Sequence, residues 1–84
     1  MKETVAVQLY GSLTQFTGGA ASVDVEAATI RDVYVELVRL HPALEDALDG
    51  NVSVSIDGRI YTESLFEKVG PENEVILLPR IAGG

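Results

Sequence analysis

Residues 29–41 of this 84-residue chain form its one long stretch with apolar residues at helical spacing, and alternating stretches lie on both sides. Ile30, Val33, Tyr34, Leu37, Val38 and His41 share one helix face at a 3.6-residue period. Thr29 followed three residues later by Asp32 predicts a capping box, with the acid also favoured by the helix dipole. Pro42 lacks an N–H and restricts its predecessor, so the helix stops there. Ala43 to Leu48 predict a short further helical turn, closed by Asp49-Gly50. On the N-terminal side, Thr4–Tyr10 read as a strand with Val5, Val7 and Leu9 facing one way and Ala6, Gln8 and Tyr10 the other. Gly11 ends it, Leu13 to Phe16 lead into a turn at Gly18-Gly19, and Ala21–Glu26 alternate again, giving an antiparallel hairpin with a wide loop. On the C-terminal side, Val52–Ile56 and Arg59–Tyr61 flank the tight-turn pair Asp57-Gly58. A loop with Leu65, Phe66 and Val69 then reaches Gly70-Pro71, and Glu74–Leu78 form a last strand.

The order is β-β-α-β-β-β, and a single long helix can cover only one face of a sheet. The first and last strands are the most apolar and are expected to pair in the middle, with the helix lying diagonally over Val5, Val7, Leu9, Val75 and Leu77. This is an α+β, β-grasp arrangement: a mixed sheet of four to five strands in a domain spanning residues 1–79, followed by a flexible C-terminal tail, residues 80–84. By strand phase Tyr10, Ile76 and Leu78 point away from the helix, and Ile60 joins them. An apolar patch on the bare sheet face suits a partner interface.

Composition removes several function classes. There is no cysteine, hence no disulfide framework, thiol nucleophile or thiolate metal site, and the lone His41 cannot build a histidine cluster. No phosphate-binding glycine loop with lysine, nucleophile elbow or metal-ligand spacing is present. Glu45, Asp46 and Asp57 read as a solvated helix face and a turn residue, His41 as a helix-end residue and Tyr34 as core or core margin. The chain is therefore not expected to be an enzyme by itself, nor to hold a metal or a bound cofactor. Thirteen acids against six bases give a net charge of −7, which repels nucleic acid and anionic membranes. Such a surface suits docking on a basic groove, or simply keeps a small domain in solution. No apolar run approaches the ~20 residues of a membrane span and no signal-peptide core is evident, so the expected location is the cytoplasm.

The end of the sequence carries a different kind of signal. Pro79 cannot extend a strand ladder, so the chain is expected to leave the fold there as an extended strip. Arg80 to Gly84 would reach roughly 15–18 Å at ~3.3–3.6 Å per residue. Gly83 and Gly84 have no side chains, so a backbone carboxylate could thread a channel that any Cβ would obstruct. The reactive group would then be the carboxylate of Gly84 itself.

These residues resemble the ubiquitin-like sulfur carriers of the MoaD/ThiS group, the MoaD-like proteins above all, over nearly the whole chain from Val5 to Gly84. The resemblance is carried by Val7-Gln-Leu-Tyr-Gly-Ser-Leu13, Thr29-Ile-Arg-Asp-Val-Tyr-Val-Glu-Leu37, His41-Pro-Ala-Leu-Glu45 and Val54-Ser-Ile-Asp-Gly58. It continues in Gly70-Pro-Glu-Asn-Glu-Val-Ile-Leu-Leu-Pro79 and the closing Gly-Gly. It implies that an ATP-dependent, ubiquitin-activating-type adenylyltransferase (MoeB/ThiF-like) adenylates Gly84 and that sulfur displaces AMP to leave a thiocarboxylate. The sulfur would be delivered in molybdopterin (molybdenum cofactor) biosynthesis, inside the large subunit of molybdopterin synthase (MoaE-like), or to another acceptor enzyme. ATP would be used by the partner. The resemblance also implies partner contacts at Tyr10, Ile60 and Leu78, which Ile76 would share, and along the tail at Arg80, Ile81 and Ala82. Arg80 departs from the MoaD pattern, which has a second proline there, and looks like the tail of ubiquitin. Three alternatives stay open: a sulfur carrier for thiamine thiazole, cysteine or other cofactor synthesis, a protein modifier forming isopeptide bonds through Gly84, and an interaction module with an unreactive tail.

Overall fold

A computed structural model of the protein describes residues 2–48, 52–62 and 64–79. Strand β1 (Glu3–Leu9) is followed by a 3-10 segment (Gly11–Thr17) and β2 (Ser22–Ala27). Then come helices α1 (Ile30–Leu40) and α2 (Leu44–Leu48) and strands β3 (Val52–Ile56), β4 (Arg59–Tyr61) and β5 (Val75–Pro79). Among the described residues the five strands form one mixed sheet in the order β2-β1-β5-β3-β4. β1 and β5 run parallel in its middle, from Val7 beside Val75 to Leu9 beside Leu77, and every other pairing is antiparallel. This is the β-grasp arrangement expected from the sequence.

Alternation decides which face is buried. Val5, Val7 and Leu9 of β1, Val23, Val25 and Ala27 of β2, Val52, Val54 and Ile56 of β3, and Val75 and Leu77 of β5 all lie in the core. Ile30, Val33 and Leu37 close over them from α1, while Tyr34 and Val38 pack at the margin. Burial pushes the Tyr34 hydroxyl pKa upward. Leu44 and Leu48 of α2, Leu13 of the 3-10 segment and Val69 before β5 also lie in the core.

The start of α1 is held twice. The Thr29 hydroxyl accepts from the Asp32 N–H at 3.3 Å, and Asp32 Oδ2 accepts from the Ala28 and Thr29 N–H groups at 3.0 and 3.2 Å, which is the predicted capping box. In addition, the loop before β5 supplies backbone acceptors: the Glu67 carbonyl takes the Ile30 N–H at 3.0 Å and the Leu65 carbonyl the Arg31 N–H at 2.8 Å. A helix leaves its first N–H groups without internal partners, so the loop does for the backbone what the cap does through side chains. In that loop Val69 is buried, whereas Phe66 stays 79% exposed.

One boundary differs from expectation. Pro79, predicted to lie beyond the last strand, is its final residue, level with Val52. Polar groups of alternate strand residues face the same neighbour. The Leu77 carbonyl accepts from the Tyr10 N–H at 3.1 Å on the β1 side, so the N–H that Pro79 lacks would also have faced that side, past the end of β1. No ladder bond is lost. The 3-10 segment was likewise not foreseen. The predicted closing turn Asp49-Gly50 and the tail 80–84 lie outside the described residues.

Candidate functional site

The sheet face opposite α1 is built by the residues that alternation turns away from the core. Ser55 of β3 is level with Ile60 on one side and Ile76 on the other, and Ile76 is in turn level with Gln8, which pairs with Ser22. These five positions form one row across the sheet. Two residues further along β5, Leu78 lies beside Ser53. Tyr10 follows Leu9 in extended backbone and therefore emerges on the open face, next to Leu78.

The four predicted sheet positions thus share one face. Ile76 and Ile60 are two strands apart, ~9.5 Å at the usual strand spacing. Tyr10 is 49% and Ile60 54% exposed, while Ile76 and Leu78 are half-buried. Between the ridges, β3 contributes only Ser53 and Ser55, so Ile60, Ile76 and Leu78 stand above a floor of small side chains. Toward the other edge the face becomes acidic: Asp24 is level with Ala6 and Glu26 with Thr4, whose hydroxyl donates to the Glu26 carboxylate. The face is therefore apolar over β5 and β4, with the two serines of β3 between them, and negative along β2.

The predicted residues Arg80, Ile81, Ala82, Gly83 and Gly84 lie outside the described residues. What the structure supplies is their point of departure. Pro79 ends β5 in the middle of the sheet, one residue after Leu78 and against Gly11.

Other polar groups have structural work. The His41 N–H donates to the Leu37 carbonyl at 2.8 Å at the end of α1. Asp57 does more than turn the chain: Oδ1 accepts from the Glu74 N–H at 2.8 Å and Oδ2 from Asn73 Nδ2 at 2.6 Å. These bonds, the Glu74 one foremost, hold its carboxyl below the usual carboxylate range. Asp32 is held low in the same way, chiefly by the Ala28 N–H and also by the nearby Lys2 cation. Among the described residues no group of three or more His, Cys, Asp or Glu could hold a metal ion, and no helix is long and apolar enough to cross a membrane.

Several solved structures share this architecture. SAMP1 (small archaeal modifier protein 1) from Haloferax volcanii is 27% identical, with a TM-score of 0.80 over 98% of this chain and 100% of its own. A chain of the BexX/CysO complex from Amycolatopsis orientalis is 24% identical, with a TM-score of 0.75 over 95% of this chain and 99% of that one. A Pyrococcus furiosus protein assigned as subunit 1 of a molybdopterin converting factor is 19% identical, with a TM-score of 0.70 over 93% of this chain and 98% of that one. At such identities the last two likenesses concern the fold alone. No family model and no curated protein sequence matches the chain. Strand order, helix placement and likeness over the whole length give this chain the ubiquitin-like β-grasp fold that these proteins share.

Proposed function

We propose that this protein is a sulfur carrier whose Gly84 carboxylate is adenylated and then converted to a thiocarboxylate. The observation that supports this most is the open apolar face beside the departure point of the tail: Tyr10, Ile76 and Leu78 surround the end of β5, with Ile60 across Ser55. A partner that docks on this face holds the end of β5, to which residues 80–84 are joined. Asp24 and Glu26 along one side of the face favour a partner whose apolar contact is flanked by cations.

The chemistry belongs to the partners. A carboxylate is a poor electrophile because it would have to expel oxide. In an activating enzyme of the MoeB/ThiF type, a Gly84 carboxylate oxygen attacks the α-phosphorus of ATP and pyrophosphate leaves. The outer sulfur of a donor persulfide then attacks the acyl carbon, and AMP leaves. A donor thiol cleaves the resulting acyl disulfide, so the thiocarboxylate forms as the donor is oxidised to a disulfide. The carrier next docks on its acceptor in the cytoplasm, in our reading the MoaE-like large subunit of molybdopterin synthase. The BexX/CysO complex gives this step a structural parallel, a protein of this fold assembled with another protein. Carriers for thiazole or cysteine synthesis would use the same face and tail with another acceptor.

The likeness to a small archaeal modifier protein favours a second outcome for the same acyl-adenylate, attack by a lysine amine to give an isopeptide bond. Intact-mass measurement of the protein from its native host separates the two. Exchange of one oxygen for sulfur is the result expected of a carrier, and ladders of larger conjugates indicate a modifier. Neither product in the presence of an activating enzyme and ATP overturns both.

A further inference from the structure

The loop between β4 and β5 leaves Phe66 79% exposed, more than any other large apolar side chain among the described residues, and Leu65 beside it is exposed too. Its backbone is nevertheless held. The Leu65 carbonyl accepts from the Arg31 N–H at 2.8 Å and the Glu67 carbonyl from the Ile30 N–H at 3.0 Å. The Val69 N–H donates to the Ala28 carbonyl at 3.0 Å, and the Val69 side chain is buried. Phe66 thus stands in solvent between two residues pinned to the start of α1. An aromatic ring on fixed backbone loses little freedom on docking, and such rings are enriched in interfaces. A hollow of about 300 Å³ lined by Ser64, Leu65, Phe66 and Glu67 leaves room beside the ring for an incoming side chain.

The surrounding charge defines what fits. The chain has thirteen acids and six bases, yet the bases that no carboxylate holds gather around this loop. Lys2 pairs with Asp32 at 3.6 Å and Arg39 with Glu36 at 2.8 Å, whereas Arg31, Arg59 and Lys68 make no ion pair among the described residues. The Arg31 backbone is bonded to Leu65, and Arg59 and Lys68 line one cleft of about 370 Å³ with Glu67. Asp57 borders the same cleft, but its carboxylate is taken by Asn73 and the Glu74 N–H. The loop is joined to α1, which covers the sheet face opposite Tyr10 and Ile60, so this surface lies apart from the open face.

We propose that Phe66 and Leu65, rimmed by Arg31, Arg59 and Lys68, form a second docking surface, for a segment of another protein that carries an apolar side chain among carboxylates. The ring supplies the anchor, and the cations select the acidic segment over a neutral one. The inference does not rest on the carrier chemistry proposed above.

The test is photocrosslinking of the full chain in its native host. The reactive residue is introduced as Phe66→p-benzoylphenylalanine, with Leu40→p-benzoylphenylalanine, exposed at the other end of α1, as the control. The joined segment is sequenced by mass spectrometry, made as a synthetic peptide and titrated against the full chain. Position 66 is expected to capture, in clear excess over position 40, a segment with an apolar residue flanked by acids. That peptide is expected to bind F66A about tenfold and K68E about threefold more weakly than the wild-type chain, and I60D as tightly as the wild type. The Tm of F66A is expected within about 3 °C of the wild type, since the ring packs on little of its own chain. No excess at position 66, a basic or uncharged segment, or a second copy of this chain as the captured protein each overturns the inference. So does a peptide that binds F66A as tightly as the wild type, a loss in I60D equal to that in F66A, or a larger fall in the Tm of F66A.

Discussion

Asp57 shows how far a single residue can be read from its neighbours in sequence. The pair Asp57-Gly58 announces a tight turn, and the turn is there, with Asp57 itself at φ 52°. Its carboxylate also ties the β3–β4 hairpin to Asn73 and Glu74, 16 and 17 positions away, and no local pattern carries that information. The same limit hid the loop around Phe66, whose backbone is held by Ala28, Ile30 and Arg31. Asp32 is the opposite case, since its bonds reach only Ala28 and Thr29 and the capping spacing gives it away. Both carboxylates are held below their ordinary pKa of 3.8, Asp57 by the Glu74 N–H and Asn73, and Asp32 by the Ala28 N–H. A carboxylate with a lowered folded-state pKa contributes stability that is complete above its unfolded value and is lost as pH falls through the folded one. Thermal stability is therefore expected to drop below pH 3.8 with a contribution from these groups. Asp57→Asn should lower Tm at neutral pH and flatten that acid slope. An unchanged slope in D57N would remove Asp57 from the account.

At the scale of elements, period and capping carried most of the fold. Alternation in β1 named the core residues Val5, Val7 and Leu9 and the outward Tyr10 together, and the helical spacing named Ile30, Val33 and Leu37. The central pairing of the first and last strands followed from their being the most apolar, and the placement of the helix on one sheet face from there being one long helix. The 3-10 segment escaped because three residues per turn over seven residues, between glycines, looks like a loop until Leu13 and Thr17 are seen to be buried. The end of β5 was misplaced because proline was judged without knowing that β1 stops before it. Two substitutions calibrate these elements by chemical denaturation. Thr29→Ala removes the cap of α1 and is expected to cost about 1 kcal/mol. Leu37→Ala opens the core under the helix and is expected to cost roughly 2–5 kcal/mol. A core loss no larger than the cap loss would contradict the packing described for α1.

For the molecule as a whole, one sheet face is consumed by folding and the other is left open, the face proposed above for docking. Ile60 is the cleanest probe of the second face because it is 54% exposed on the three-residue strand β4. Ile60→Asp should change stability by no more than about 0.5 kcal/mol, as surface substitutions usually do. It should raise KM with the activating enzyme by about tenfold, the scale of a lost interface anchor. An unchanged KM would move the docking surface elsewhere. The patch itself was legible, since Tyr10, Ile60, Ile76 and Leu78 follow from strand phase; its acidic flank and serine floor became visible only with the register. The net charge of −7 and the lack of cysteine also acquire a meaning under this account, with a charged domain docking whole and its sulfur carried on a terminal carboxylate. The most direct test is peptide mass mapping after incubation with the activating enzyme, ATP and a persulfide donor. Cleavage after Arg80 isolates Ile81–Gly84, and the account predicts one oxygen-for-sulfur exchange in that fragment and none in a chain lacking Gly84. An exchange found elsewhere, or an unmodified fragment beside an enzyme that releases pyrophosphate with this chain, would contradict it.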